Sequence, residues 1–161
     1  MKLLFLRETK KTGIADGIGI KAQFSDPLFM TKLGEFLYVT DEHRIRRIDP
    51  QTAEVRTFAG SKKSGWVDDS VSKARFYRLR GITADSHALY VSDCGNDTIR
   101  KIEIKTAKVT TLIEKGLNGK IDCPYGLTKL QSNVYFVQLS YNAIFKLNLD
   151  TLKVETLRFG S

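Results

Sequence analysis

Three stretches of this chain can be laid over one another almost residue for residue, and that self-similarity limits the folds open to it more than any other feature. They are FLYVTDEHRIRRIDPQTAEVRTFAG from Phe36, ALYVSDCGNDTIRKIEIKTAKVTTL from Ala88 and NVYFVQLSYNAIFKLNLDTLKVETL from Asn133. Tyr38, Tyr90 and Tyr135 mark equivalent points at intervals of 52 and 45 residues, and Val55, Val109 and Val154 recur at 54 and 45. A unit repeated at such a period buries its apolar surface against its own copies rather than against a separate core.

Within each unit the pattern is all-β. In the second, Gly81–Ala84, Leu89–Ser92, Ile99–Ile102 and Val109–Leu112 are short runs rich in β-branched residues, the composition that suits a packed, pleated surface. Asp85-Ser86, Cys94-Gly95-Asn96-Asp97 and Lys105-Thr106 between them are turn-forming. A four-stranded meander of this length cannot cover both its faces, whereas stacked copies can. The expected architecture is therefore a β-propeller with three four-stranded antiparallel blades, over approximately 14–60, 61–113 and 114–159. Leu3–Leu6 followed by Arg7–Gly13 has the pattern of a blade's last strand and exit loop, as in Arg56–Phe58 running to Gly65. Residues 1–13 are accordingly expected to be the outer strand of a preceding blade.

The lead-in GIADGIGIKAQF (Gly13–Phe24), followed by Pro27, LYVTD, RIRRID and VRTFAG, resembles the NHL repeat, a β-propeller family. The second unit repeats it as GWVDDSVSKARF, LRGI, LYVSD, NDTIRKI and VTTL; the third keeps CPYGL, VYF, IFKL and VETL but has lost the acidic-glycine lead-in. The resemblance covers roughly residues 13–157. It implies a propeller of usually six blades, of which this chain would supply half. An open half would expose two blade faces, so the chain is expected to pair as a homodimer or to belong to a longer propeller.

Composition narrows the class without naming the job. The formal charge of +8 is concentrated in residues 1–120, which hold 22 Lys+Arg against 15 Asp+Glu, but no like-charge run exceeds a pair such as Lys10-Lys11, Arg46-Arg47 or Lys62-Lys63. A solvated surface accounts for clusters that short as well as a polyanion site does. No apolar run approaches the ~20 residues needed to cross a bilayer, and Lys2–Leu6 is too short for a signal-peptide core. The default expectation is a soluble, cytoplasmic protein without a membrane span. Cys94 and Cys123, at the same end of neighbouring blades, could reach one another, but independent free thiols are the expected state. Asn96-Asp97-Thr98 matches a glycosylation sequon, a pattern short enough to arise by chance.

Asp41 and Asp93 end second strands, and Arg46 and Arg100 lie in the third strands beside them. In the third unit both charges vanish together, leaving Gln138 and Phe145. A within-blade ion pair behaves in this way, because losing one partner alone strands a buried charge. Asp16 and Asp68 are expected to accept backbone amides in Asx-type turns, with metal binding as the sharper alternative. His43 and His87 fall in turns at opposite ends of their blades, so they cannot share the central zinc that some propeller lyases hold. No serine sits in a nucleophile elbow. No catalytic residue, metal ligand or cofactor is assigned.

A ligand is expected on the rim made by the turns after second strands and the loops between blades. The candidates there are Arg44, Arg78, Arg80, Asn96, Asp97, Tyr125, Tyr141 and Asn142, with His43 close by. Arginines beside tyrosines can stack on and hydrogen-bond to a peptide or a base. A non-catalytic scaffold for a protein or peptide ligand is the leading reading. Single-stranded RNA, which the NHL propellers of tripartite-motif proteins bind on a basic rim, is the alternative, and part of a propeller hydrolase or lyase the third. The loops at that end carry 12 Lys+Arg against 9 acids, a surplus of three that gives the RNA reading weak support.

Overall fold

The hairpin turns recur as faithfully as the strands. Ala53, Ala107 and Leu152 adopt left-handed backbone at φ 57°, 53° and 56°, each just ahead of the last strand of its unit. A side chain four residues earlier ties the turn: the Asp49 carboxylate accepts the Gln51 and Thr52 amides, the Glu103 carboxylate the Thr106 hydroxyl, and the Asn148 side-chain carbonyl the Asp150 and Thr151 amides. Local polar closure of this kind sets strand register before any blade meets another.

The computed structural model describes residues 13–114, 121–138 and 140–157, so the strand expected over Leu3–Leu6 lies outside the described residues. After the two-residue β1 (Gly17–Ile18) come three antiparallel quartets. The first is β2 (Pro27–Leu33), β3 (Phe36–Asp41), β4 (Arg44–Asp49) and β5 (Glu54–Gly60). The second is β6 (Leu79–Ala84), β7 (Ala88–Asp93), β8 (Thr98–Glu103) and β9 (Lys108–Ile113). The third is β10 (Pro124–Leu130), β11 (Asn133–Gln138), β12 (Tyr141–Asn148) and β13 (Val154–Leu157). Each sheet runs from inner to outer strand in chain order, and β2, β6 and β10 stand side by side. The all-β propeller expected from the repeats is the fold observed.

The period of two along β7 explains why a blade needs neighbours. Leu89 and Val91 pack toward the first blade with Tyr38, Ile45 and the loop residues Ala74 and Phe76. Ala88 and Tyr90 pack the other way, with Val134, Phe136 and Phe145. Every residue of β7 is buried, because both its faces are interfaces. Ser92 adds a polar stitch, its hydroxyl donating to the Tyr125 carbonyl at 2.7 Å.

One feature of the first sheet was not expected. Gly17 and Ile18 add a fifth strand at the outer edge, pairing with Val55 and Glu54. The lead-in loop therefore runs back over its own blade before it reaches the innermost strand. The second lead-in does the same through the Ser70–Lys108 bridge and the Val109 amide, which donates to the Asp69 carbonyl. Each innermost strand then carries a bulge near its start, between Pro27 and Met30, Leu79 and Ile82, and Pro124 and Leu127. Bulges re-aim side chains at a sheet's rim, and the residues displaced here include Arg80 and Tyr125.

Candidate binding groove at the first blade junction

The two lead-in loops are each held by one buried arginine. Arg46 Nη1 donates to the Gln23 carbonyl at 2.8 Å and to Asp41 Oδ2 at 3.0 Å, and Nη2 to the Ala15 carbonyl at 2.8 Å and Asp16 Oδ1 at 3.0 Å. Arg100 repeats the set with the Arg75 carbonyl, Asp93, the Val67 carbonyl and Asp68. The guanidinium planes lie 5.0 Å from the Phe24 and Phe76 ring centroids. Asp41 Oδ1 accepts the Ser25 and Asp26 amides, and Asp93 Oδ1 accepts the Tyr77 amide, so each carboxylate also anchors the chain as it enters its innermost strand. Burial pushes the Asp93 carboxyl up to about 6, against the pull of the Tyr77 amide, Asn96 and Arg100. In the third blade Gln138 accepts the Asp122 amide, and Phe145 stacks on Phe136 at 5.3 Å in place of the arginine.

Asp16 and Asp68 do not form local Asx turns. Asp16 accepts the Thr57 amide and hydroxyl 41 residues away, and Asp68 those of Thr111. Burial alone would raise the Asp16 pKa; the Thr57 donors and Arg46 outweigh it and hold the carboxyl below its ordinary value. Both carboxylates are thus occupied in closing lead-in loops onto outer strands. Among the described residues no three His, Cys, Asp or Glu side chains gather as a metal site would require.

The cysteines are not free. Cys94 and Cys123 form a disulfide across the second and third blades, with their Cα atoms 4.0 Å apart. The short 3₁₀ turn Cys94–Asn96 projects the first cysteine from the end of β7, and the Asp97 carboxylate accepts the Cys123 amide at 2.9 Å, drawing the next loop onto it.

The anchors at Asp41 and Asp93 have a consequence at the rim. Tyr77 is held from both sides, its amide by Asp93 and its carbonyl by the Gly95 amide at 2.7 Å. Arg78 follows in left-handed backbone at φ 55°, donating its amide to His43 Nδ1 at 3.1 Å, and the Leu79 amide donates to the Glu42 carbonyl at 2.7 Å. The entry to the second blade is in this way sewn onto the β3–β4 turn of the first. A groove of about 400 Å³ opens along the seam, lined by Ser25, Asp26, Glu42, His43, Tyr77, Arg78 and Arg80. Its chemistry is mixed. Arg80 lies 3.7 Å from Asp26 and 5.9 Å from the Tyr125 ring, His43 Nε2 is 3.7 Å from Glu42, and the His43 and Tyr77 rings are 5.6 Å apart. Arg78 and Tyr77 stand exposed beside them. A groove lined by arginines, carboxylates and the His43 and Tyr77 rings can pair with both the donors and the acceptors of a peptide.

Of the expected rim residues, Arg78 and Arg80 meet here, and Tyr125 adjoins through Arg80. Arg44 does not belong to the rim: it is 2 % exposed, on the face that carries Asp41 and Arg46. Asn96 and Asp97 also serve the scaffold, Asn96 donating to the Gly65 carbonyl and Asp93, and Asp97 accepting from Cys123. Tyr141 and Asn142 are exposed on the third blade, lining a separate groove with Val137, Ile144 and Leu157. His87 lies in the β6–β7 turn, at a groove with Ser86, Glu103 and Thr106. Asp26 and Glu42, counted among the nine acids of that end, and Tyr77 were not named as ligand residues, since each joins the groove only where two blades meet.

Three blades that stack by their innermost strands define this chain as β-propeller. Similarity to solved structures agrees on the fold: a Bacteroides thetaiotaomicron protein of unknown function superposes with a TM-score of 0.62 at 21 % identity, over 69 % of this chain and 32 % of that one. Virginiamycin B lyase from Staphylococcus aureus gives 0.58 at 15 % identity, over 83 % and 41 %. No protein-family model matches the chain. Among curated proteins, human NHL repeat-containing protein 2 is 33 % identical over 125 residues, 73 % of this chain. The chloroplastic protein SUPPRESSOR OF QUENCHING 1 of Arabidopsis thaliana is 30 % identical over 68 % of it. The chain belongs to the NHL-repeat β-propellers. It spans only 17 % and 11 % of the length of those two relatives.

Proposed function

We propose that this chain is a non-catalytic binding module that holds a protein segment, in extended form, along the groove between its first two blades. The observation that carries the reading is the seam itself: the Arg78 and Leu79 amides, bonded to the preceding blade, hold the backbone that carries Tyr77, Arg78 and Arg80 along the groove. Preorganisation of this kind lowers the ordering cost of binding. Asp26 and Glu42 within the same groove favour a peptide, whose backbone amides they can accept, over a polyanion, whose phosphates they repel. The relationship to NHL-repeat proteins is in keeping with a scaffold, while the likeness to a lyase extends to the fold alone.

The test is a fluorescence-anisotropy comparison of two labelled probes, a randomised peptide pool and mixed-sequence single-stranded RNA, at low and moderate salt. The expected result is peptide binding that weakens at least tenfold in Arg78→Ala plus Arg80→Ala and responds little to salt. Retention of RNA alone, with an affinity that collapses as salt rises, would replace the peptide reading with the RNA one.

A further inference from the structure

We propose that His43 is a pH-operated latch on the groove between the first two blades: neutral, it holds the Arg78 backbone in place, and protonated, it lets go. The consequence for binding rests on the groove's holding a protein segment; the latch itself rests on geometry alone. The Arg78 amide donates to His43 Nδ1 at 3.1 Å, so that nitrogen carries a lone pair and the ring keeps its proton on Nε2. A protonated imidazole has a donor at each nitrogen and no acceptor. No rotation of the ring can then receive the Arg78 amide, and two N–H groups are left facing one another. Imidazole is the side chain that changes charge between about pH 5 and 8. Arg78 sits at φ 55°, a backbone position that a long side chain keeps only when its surroundings hold it there. Releasing the amide frees Arg78 to leave that position and take its guanidinium out of the groove. The Leu79 amide stays on the Glu42 carbonyl in either state, which confines the change to the groove.

The second junction makes the same closure with different chemistry. His43 immediately precedes β4 and Asp97 immediately precedes β8; Arg78 and Cys123 immediately precede β6 and β10, and both take left-handed backbone, at φ 55° and 39°. The two hydrogen bonds are therefore equivalents, the Arg78 amide to His43 and the Cys123 amide to the Asp97 carboxylate at 2.9 Å. A carboxyl group keeps an acceptor oxygen whether or not it binds a proton, and a disulfide ties that junction as well. Of the two junctions, only the first has an acceptor that protonation abolishes. The ties on its imidazole demand opposite charge states. The Arg78 amide needs the neutral ring, whereas the Glu42 carboxylate, 3.7 Å from Nε2, pairs best with the charged one. Of the other charged groups around the ring, Asp26 acts with Glu42, while Arg44 next in the chain and Arg78 and Arg80 of the second lead-in act against it. The Tyr77 ring packs 5.6 Å away. A residue pulled both ways is a switch between two arrangements rather than a fixed brace.

Nuclear magnetic resonance on the isotope-labelled whole chain, titrated from about pH 8 to pH 5, tests this without a ligand. The expected result is an Nε2–H tautomer for His43 at the upper end. As His43 protonates, the Arg78 amide should lose roughly tenfold in its protection factor against solvent exchange, the worth of one ordinary hydrogen bond. The Cys123 amide should keep its protection throughout, and His87→Gln, in the β6–β7 turn, should change none of this. His43→Asp, which copies the second junction, should protect the Arg78 amide across the whole range. Should that variant fail to fold, His43→Asn, whose side-chain carbonyl accepts in every state, takes its place. Arg78 protection that ignores His43 protonation, or a folded His43 that stays neutral at the acid end, would overturn the latch. Anisotropy with the labelled peptide pool over the same range reads the groove: binding should weaken as His43 protonates in the wild type and hold steady in His43→Asp. Peptide binding indifferent to pH would overturn the latch's control of the groove. No peptide binding at any pH, with the Arg78 response intact, would instead strike the peptide reading and leave the latch standing.

Discussion

Arg100 shows how much one side chain organises in this fold. Its guanidinium joins three pieces of chain, β7 through Asp93, and the lead-in through Asp68 and the Val67 and Arg75 carbonyls, while both it and Asp93 are fully buried. Removing it leaves the Asp93 carboxyl and the lead-in carbonyls buried without their shared partner, a loss of about 3–5 kcal/mol. The third blade has solved the same problem without charge, through Gln138 and Phe145. Arg100→Phe should therefore be severely destabilising, and Asp93→Gln plus Arg100→Phe should recover a large part of the loss. Urea unfolding of the two single variants and the double variant gives the coupling directly, and strict additivity would show that the pair does not act as a unit. The paired charges were legible in the sequence because they disappear together; the carbonyls they hold were not, since a carbonyl leaves no mark in a side-chain pattern.

Among elements, the junction between the second and third blades is unlike the first because it carries a covalent tie. Cys94 and Cys123 are separated by 29 positions, and closing a loop of that length restricts the unfolded chain by about 3–4 kcal/mol on the chain-entropy account. Reduction, or Cys94→Ser plus Cys123→Ser, should lower the unfolding free energy by about 2–4 kcal/mol, read as a fall in the urea midpoint. An unchanged midpoint would mean that blade packing alone holds the junction. The expectation of free thiols rested on the small number of cysteines, and count carries no information on distance. Turn residues placed both cysteines at one end of their blades; only the docking of the loop after the second blade, through Asp97, brings them within bonding reach. A disulfide persists in oxidising surroundings, so the cytoplasmic default drawn from the sequence loses one of its supports. Among the described residues no helix is long and apolar enough to cross a membrane.

At the scale of the whole molecule, stability is a matter of neighbours. The middle blade is covered on both sides, whereas the first and third each have one face free of another described blade. In a stack of repeats, local opening is governed by how many interfaces an element must break. Hydrogen exchange should consequently find the β7 and β8 amides protected to the global unfolding limit, with β12 and β13 exchanging faster. Equal protection in all three blades of a monomer would contradict this ordering.

The amino-acid order alone determined the repeat, the strand quartets, the turns between them and the paired arginine and aspartate, because these arise from period-two patterning and from residues close in the chain. Tertiary structure decided which rim residues face solvent. Arg44, Asn96 and Asp97 were drawn into the scaffold, while Asp26, Glu42 and Tyr77 were brought beside Arg78 and Arg80. The physical reason is that a seam belongs to two blades at once: its geometry follows from how far one sheet twists and slides over the next, and no single repeat encodes that.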